Sequence, residues 1–241
     1  NDLINEVTNL PEEELLTHLS ALKDSELLYE RGIYPQSTYV FKHALTQDVA
    51  YNSLILKRRK EIHEKIGRAI EEIYPERMEG FYEMLAHHYS KSDNPQKAFQ
   101  FLKLSGNKTT RSHSLWEALS FYRQAIEKLK ELPETEENKR GHIEVIKLME
   151  MPMRLLGYPE DSLNVILEGE KLSKELRDSQ AIAVFSALIG LYYTHAGDAE
   201  QAKKYLENCV EQIENVQDIN LIAPIAFDLG VSYLIKGEWS K

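Results

Sequence analysis

The feature that most constrains the fold is a ladder of glycines that follow helix-periodic segments. Gly157, Gly197 and Gly237 are spaced by 40 residues. From Glu79 onward, Leu, Ala, Tyr and Phe recur at intervals of three and four, which is the period of an amphipathic α-helix. A glycine readily adopts the left-handed backbone that closes a helix. The ladder therefore predicts repeated helix pairs joined by short turns.

The periodic pattern divides this part of the chain into eight predicted helices. Short segments rich in Gly, Pro, Asp and Asn separate them, so neighbouring helices are expected to pack as antiparallel hairpins. The predicted helices cover residues 79–92, 95–111, 114–131, 138–156, 159–176, 180–196, 199–215 and 219–236. Grouped by the ladder, they give repeats at 79–131, 138–176, 180–216 and a truncated 219–241.

The most specific motif surrounds Gly190. A small residue there lets the second helix approach at Ala202, and Tyr193 fills the volume beside the crossing. This pattern resembles the tetratricopeptide repeat, a helix–turn–helix unit that stacks into a right-handed superhelix. The usual period of about 34 is shorter than the one found here, and Ser186 stands where the motif has tryptophan. The resemblance implies an all-α fold for residues 76–241.

Residues 1–75 follow a different pattern. A helix is predicted first, then two short strands separated by a turn, then two amphipathic helices. This order predicts a small winged-helix-like unit that contains one β-hairpin and ends near Pro75. The predicted elements cover residues 11–23, 26–30, 37–42, 44–56 and 58–74.

Two segments of this unit resemble a known family. Residues 41–51, Phe-Lys-His-Ala-Leu-Thr-Gln-Asp-Val-Ala-Tyr, and 57–63, Lys-Arg-Arg-Lys-Glu-Ile-His, resemble the winged helix of signal-transduction ATPases with numerous domains. The closest resemblance is to the bacterial group fused to a class III adenylate/guanylate cyclase or to a protein kinase. The resemblance implies that His43 contacts the β-phosphate of bound nucleotide in an intact protein. Ala44 stands where relatives have aspartate.

The composition excludes several classes of protein. The chain has 29 Lys and Arg against 39 Asp and Glu, a net charge of −10, which argues against nucleic acid as the main partner. No apolar run reaches the ~20 residues that a membrane-spanning helix needs, and no signal peptide is visible. We therefore expect a cytoplasmic protein without membrane contact. The single cysteine, Cys209, excludes an internal disulfide and is expected to be a buried small side chain.

No constellation for catalysis or metal binding emerges. Residues 63–67, His-Glu-Lys-Ile-Gly, begin like the zinc motif His-Glu-x-x-His, but Gly67 stands where the second ligand is needed. His87 and His88 are adjacent and point about 100° apart on a helix, so they are not expected to share an ion. The 11 glycines are too dispersed for a Gly-rich phosphate loop. The sequence predicts no enzyme, no metal site and no cofactor in this chain.

The basic run at residues 57–60, Lys-Arg-Arg-Lys, leaves one alternative open. In a winged helix such a run could meet DNA phosphates, which would make the protein a transcription regulator whose repeats sense an inducer. The run lies at a helix start and lacks interleaved aromatic or amide side chains. This favours docking against another domain, or solvation.

The repeats predict a partner-binding face. Stacked helix pairs form a concave surface lined mainly by first helices, and we expect it to bind a protein or peptide segment with apolar anchors and acidic character. The candidate groove residues are His87, Lys91, Lys147, Met151, Arg154, Ala187, Leu191, His195, Phe227, Val231 and Ile235. The alternative is that further repeats cover the end formed by the last three.

Together these features predict a non-catalytic regulatory arm. The chain begins at Asn1 and ends at 237–241 in what reads as a helix start, so we interpret it as part of a longer polypeptide. In that setting the arm would sense a partner or effector and control an ATPase and an output domain through contacts with adjacent domains. A stand-alone scaffold is the other alternative.

Overall fold

A computed structural model of the protein describes residues 2–32 and 37–213. Within these ranges the fold is all-α and tetratricopeptide-like with one small β-hairpin, as the sequence predicts. The helices are α1 (Asp2–Thr8), α2 (Glu12–Asp24), α3 (Ala44–Ser53), α4 (Leu56–Ile73), α5 (Tyr82–Ser90), α6 (Pro95–Arg111), α7 (Leu115–Lys130), α8 (Glu136–Leu155), α9 (Ser162–Glu175), α10 (Ser179–Ala196) and α11 (Ala199–Ile213). The strands are β1 (Leu28–Arg31) and β2 (Thr38–Phe41), and a 3-10 helix spans Pro75–Phe81.

The chain divides into two compact units, an N-terminal unit of residues 1–104 and a C-terminal unit of residues 105–241. The division falls within α6. The domain boundary that the sequence places near Pro75 coincides with the start of the 3-10 helix. That boundary stays a prediction, because the helices of a repeat array contact mainly their neighbours and compactness alone does not mark where one repeat type begins.

The N-terminal unit begins with α1, which the sequence did not predict, and then follows the predicted helix–hairpin–helix order. Pro11 precedes α2, and Glu12, Glu13 and Glu14 occupy its first turn, where negative charge favours the positive end of the helix dipole. β1 and β2 pair antiparallel, with Leu28 opposite Phe41. α2 packs on β1, α3 on β2, and α1 on α4.

Glycines mark the places where helices cross. A Cβ added at Gly67 on α4 would lie 2.7 Å from the Tyr89 ring on α5. Real Cβ atoms essentially never come so close, so only glycine fits at this crossing. The C-terminal unit repeats the arrangement: Gly106 on α6 lies under Tyr122 on α7, and Gly190 on α10 lies under Leu206 on α11. The predicted crossing at Gly190 is therefore confirmed, since its added Cβ would also lie 3.5 Å from the Ala202 carbonyl oxygen.

Two rungs of the glycine ladder close helices as predicted. Gly157 and Gly197 have φ values of +73° and +77°, in the left-handed region. The amide after each glycine donates back into the helix: Tyr158 N lies 2.7 Å from the Met153 carbonyl oxygen, and Asp198 N lies 3.0 Å from that of Tyr193. These bonds satisfy carbonyl groups that a helix end would otherwise leave open. Gly237 lies outside the described residues.

Candidate functional site

The exposed face of α8 carries three of the predicted groove residues. Lys147, Met151 and Arg154 follow one another at helical spacing and so share one side of the helix. Met151 is 40% exposed, and Leu155, one turn further on, is 52% exposed. Arg154 is exposed and its Nε lies 2.7 Å from the Glu150 carboxylate. We call Met151, Arg154 and Leu155 the α8 stripe; it pairs apolar contact area with a cation.

Lys147 lies at the inner end of this face. Its side chain is half-buried, and burial lowers the pKa of its ammonium group, an effect that the negative charge of Asp178 partly opposes. Asp178 thus supplies a nearby negative charge, and Lys147 adds a half-buried positive charge one turn before Met151.

The predicted groove residues of α10 have unequal exposure. Ala187 is 5% exposed and packs with Leu206 and Cys209 in the core, so it supports α11 and adds no open surface. Leu191 is half-buried and His195 is exposed. The groove residues Phe227, Val231 and Ile235 lie outside the described residues.

An aromatic cluster that the sequence did not single out links the ends of α8 and α10. The ring centroid of Tyr158 lies 5.2 Å from that of Tyr192 and 5.2 Å from that of His195. Tyr193, predicted to fill volume beside the crossing, contacts the rings of Tyr192 and Tyr205. The signal was present in the sequence as a tyrosine pair one turn before Gly197, but periodicity alone does not tell which rings meet.

His87 and Lys91, the other two predicted groove residues, are both exposed near the end of α5. They flank a set of side chains that we call the histidine network: Tyr51, His63, His87, His88 and Lys91. Tyr51 Oη lies 3.1 Å from His63 Nε2, and His63 Nδ1 lies 2.9 Å from His88 Nδ1. The structure thus brings α3, α4 and α5 together at this network.

Burial and positive charge shape the titration of the network. Burial, and after it the neighbouring histidines and Lys91, lower the pKa of His88 to about 4. The pKa values of His63 and His87 are also lowered, first by burial and then by Lys91. At neutral pH the three rings are therefore uncharged.

His43 and the basic run have different surroundings. His43 precedes α3, is exposed, and makes no side-chain capping bond. Arg58 pairs with Glu61 at 3.1 Å, and Lys60 with Asp93 at 2.6 Å. Arg59 donates to the Leu54 and Asn52 carbonyl oxygens at 2.8 and 2.9 Å, and these bonds tie the start of α4 to the end of α3. Three of the four basic residues at 57–60 thus serve contacts within the chain, which weakens the DNA-binding alternative.

A cleft of about 340 Å³ opens between α7, α8 and α9, and no sequence motif indicated it. His142 lines it with 11% of its side chain exposed, and burial lowers its pKa. Its Nε2 has no hydrogen-bond partner among the described residues, and the nearest carboxylate oxygen, on Glu168, is 3.7 Å away. The charged lining residues are Lys130, Lys139, Lys171, Glu134, Glu168 and Glu175. With three positive and three negative side chains, this lining favours neither an anionic nor a cationic ligand.

Cys209 and metal chemistry add no site in the part of the chain that the structure describes. Cys209 is buried, its Sγ donates to the Ala183 carbonyl oxygen at 3.0 Å, and burial raises the pKa of the thiol to about 11.

Within the described ranges, no group of three or more His, Cys, Asp and Glu residues is arranged to hold a metal ion. None of the described helices is both long and apolar enough to cross a bilayer.

Crossed helix pairs with exposed side chains along α8 define a helical-repeat protein of the tetratricopeptide-like class. No protein-family model matches the chain, and no curated protein matches it. Solved structures share the fold, and two of them illustrate the likeness. BtubC (BKLC) from P. vanneervenii is 15% identical with a TM-score of 0.57, over 82% of this chain and 86% of that one. RapI in its apo form is 15% identical with a TM-score of 0.58, over 80% of this chain and 55% of RapI. At this identity the likeness shows the fold alone.

Proposed function

We propose that the chain is a non-catalytic regulatory arm that binds a protein or peptide segment along its repeat helices. The observation that carries the proposal is the α8 stripe, two exposed apolar side chains one turn apart with Arg154 between them. Helical repeats present extended surfaces of this kind to their partners. The likeness to other helical-repeat folds supports an interaction role at this general level.

The chemistry of the α8 stripe specifies the kind of segment that fits. Met151 and Leu155 are already about half buried, so covering the rest of either side chain would contribute about 1 kcal/mol. Apolar anchors on the partner therefore supply much of the affinity. Arg154 and Lys147 favour carboxylates beside those anchors, which sets orientation more than affinity. The expected partner is a short segment with apolar residues one turn apart and Asp or Glu nearby.

We place this arm in a multidomain signalling ATPase, which would make adjacent domains of the same polypeptide its other partners. The helix–hairpin–helix order supports this, and so does the apolar surface of the N-terminal unit. Leu45, Val49, Ile55 and Leu56 are between 62% and 73% exposed. Leu45 and Val49 lie one turn apart on α3 and so share a face, and apolar side chains exposed on one face are typical of surfaces that another protein or domain covers. An effector would act by favouring one of two arrangements of arm and ATPase.

Binding to designed peptides tests the interaction role. The probe is a set of synthetic 12-residue peptides that carry two leucines one turn apart and flanking glutamates, with scrambled peptides as reference. We expect Met151→Glu combined with Leu155→Glu to weaken binding at least tenfold by fluorescence anisotropy. Trp116→Glu is the matched control, because Trp116 is 61% exposed but lies on α7, outside the α8 stripe. Equal losses in both variants, or no preference over scrambled peptides, would contradict the proposal.

Nucleotide retention tests the ATPase setting. In a polypeptide that includes the ATPase core, His43→Ala should change the rate at which bound ADP is released, because a neutral side chain without ring nitrogens loses any phosphate contact. Lys57→Ala, also exposed in this unit, serves as the control. ADP release that is the same in both variants and in the unchanged protein would remove the nucleotide-sensing role of His43.

A further inference from the structure

Tyr51, His63 and His88 form a hydrogen-bonded chain across three helices of the N-terminal unit. Tyr51 Oη meets His63 Nε2 at 3.1 Å, and the two Nδ1 atoms of His63 and His88 meet at 2.9 Å. His63 is only 7% exposed, so water does not compete freely for these contacts. These hydrogen bonds join α3 to α5, which the predicted boundary near Pro75 assigns to different domains.

The number of protons on the two imidazole rings decides whether the hydrogen bond between His63 and His88 can form. A neutral imidazole has one N–H donor and one acceptor nitrogen, and a charged imidazole has two donors. One proton fills the Nδ1 to Nδ1 contact, with one ring donating and the other accepting. If both rings are charged, two donors face each other and the contact is lost. A single charge leaves the bond intact but places a cation in a buried site.

Positive side chains near the pair oppose that cation. From α3, the neutral Tyr51 ring lies 5.9 Å from the His63 ring, measured between centroids. From α4, the Arg59 guanidinium lies 4.9 Å from the Tyr51 ring centroid, and Lys60 is neutralised by Asp93. From α5, Lys91 Nζ lies 5.8 Å from the same centroid, and the His87 ring lies 6.1 Å from that of His63. Burial is the main cause that lowers the pKa values of the pair, and Lys91 and the neighbouring rings lower them further.

We infer that the chain from Tyr51 through His63 to His88 is a proton-sensitive latch, closed at neutral pH, that opens α5 away from α4 and α3 when the histidine pair takes up protons. In the open state the rings return to ordinary imidazole behaviour, so the open state binds more protons than the closed one. The closed state is then fully favoured above pH 6.5 and weakens as the pH falls toward 4.

Amide hydrogen exchange of the full polypeptide tests the latch. Amide protection in α5 is measured by mass spectrometry at pH 7 and pH 5 and corrected for the intrinsic exchange rate. With a closed-state pKa of about 4 for His88 and 6.5 in the open state, protection should fall about 20-fold. Protection in α10, which belongs to the other unit, should change less than threefold. Equal protection of α5 at the two pH values would overturn the inference.

Matched variants separate the latch from general acid sensitivity. His88→Gln keeps a side-chain donor but does not titrate, so the 20-fold pH effect should shrink to threefold or less. His18→Gln is the control, because His18 is exposed on α2 of the same unit and should leave the full effect in place. An undiminished pH effect in His88→Gln would overturn the latch. If that variant fails to fold, the NMR titration of His88 in the unchanged chain decides, and a midpoint near 6.5 would refute it.

Discussion

Replacing Gly106 with alanine tests whether small residues at the helix crossings hold the repeat pairs together. A Cβ at this position would lie 2.4, 2.6 and 2.9 Å from three ring atoms of Tyr122. Ordinary contact begins at 3.4 Å, so the nearest atom is 1.0 Å too close. The ring is fixed because Tyr122 is 1% exposed, and its hydroxyl donates to Asn107 at 2.8 Å and lies 3.3 Å from Thr110 Oγ1.

Two effects of this substitution oppose each other. Alanine is favoured over glycine within a helix by about 1 kcal/mol. Overpacking a buried site costs about 1–3 kcal/mol, and sometimes more. Because three atoms of an anchored ring are involved, the upper end of that range applies. We expect a net loss of about 2 kcal/mol in the free energy of unfolding.

Denaturant unfolding followed by circular dichroism measures this loss. Gly80→Ala is the control, since no atom lies within 4 Å of its added Cβ, and its stability should be unchanged or slightly higher. In a Tyr122→Leu background, Gly106→Ala should cost at least about 1 kcal/mol less, because the ring it strikes is gone. If Gly106→Ala is as stable as Gly80→Ala, the crossing does not depend on glycine and the packing argument fails.

The remaining predictions concern helix ends and the thiol. Gly197→Ala should lower stability by about 1 kcal/mol, because φ is +77° and no neighbouring atom adds a clash. His113→Gly should raise stability by a similar amount, because His113 carries an ordinary side chain at φ +62°; opposite signs in the two thermal melts support this, and equal signs contradict it. Cys209 should react with Ellman's reagent at pH 8 only as fast as the chain unfolds, because the thiol is buried with a pKa of about 11; immediate reaction of the native protein would contradict its burial.

Local sequence signals predicted α2, the hairpin, α3 and α4 of the N-terminal unit, but not α1 or the 3-10 helix. The predicted strands at 26–30 and 37–42 correspond to β1 and β2, and the predicted helix at 58–74 corresponds to α4. These elements depend on alternation, helical periodicity and turn residues, all of which act within a few positions along the chain. Periodicity also predicted the fold class, because successive amphipathic helices with short connections can bury their apolar faces only against one another.

The histidine network shows what local patterns miss. The zinc-like motif at residues 63–67 concerns one helix only, and Gly67 stands where its second histidine would be. In the structure His63 forms a hydrogen bond with His88 on α5, 25 residues away in sequence. Gly67 instead leaves room for the Tyr89 ring, and the Tyr89 hydroxyl donates a hydrogen bond to Glu71. Neither contact is encoded in the spacing of residues on α4 alone.

The glycine ladder marks the ends of helices. The points where two helices cross mark the repeats more closely. From Gly106, the intervals to the positive-φ residue His113 and to Ala118 are 7 and 12 residues, and the same intervals lead from Gly190 to Gly197 and Ala202. The pair α6–α7 therefore has the same internal spacing as α10–α11. The ladder did not reveal this copy because a histidine, not a glycine, takes the left-handed position. A helix pair is defined by the distance along the chain between its two crossing points, because that distance fixes where the second helix returns. The segments that connect one helix pair to the next can differ in length. Here they differ enough that no single sequence period describes all the pairs.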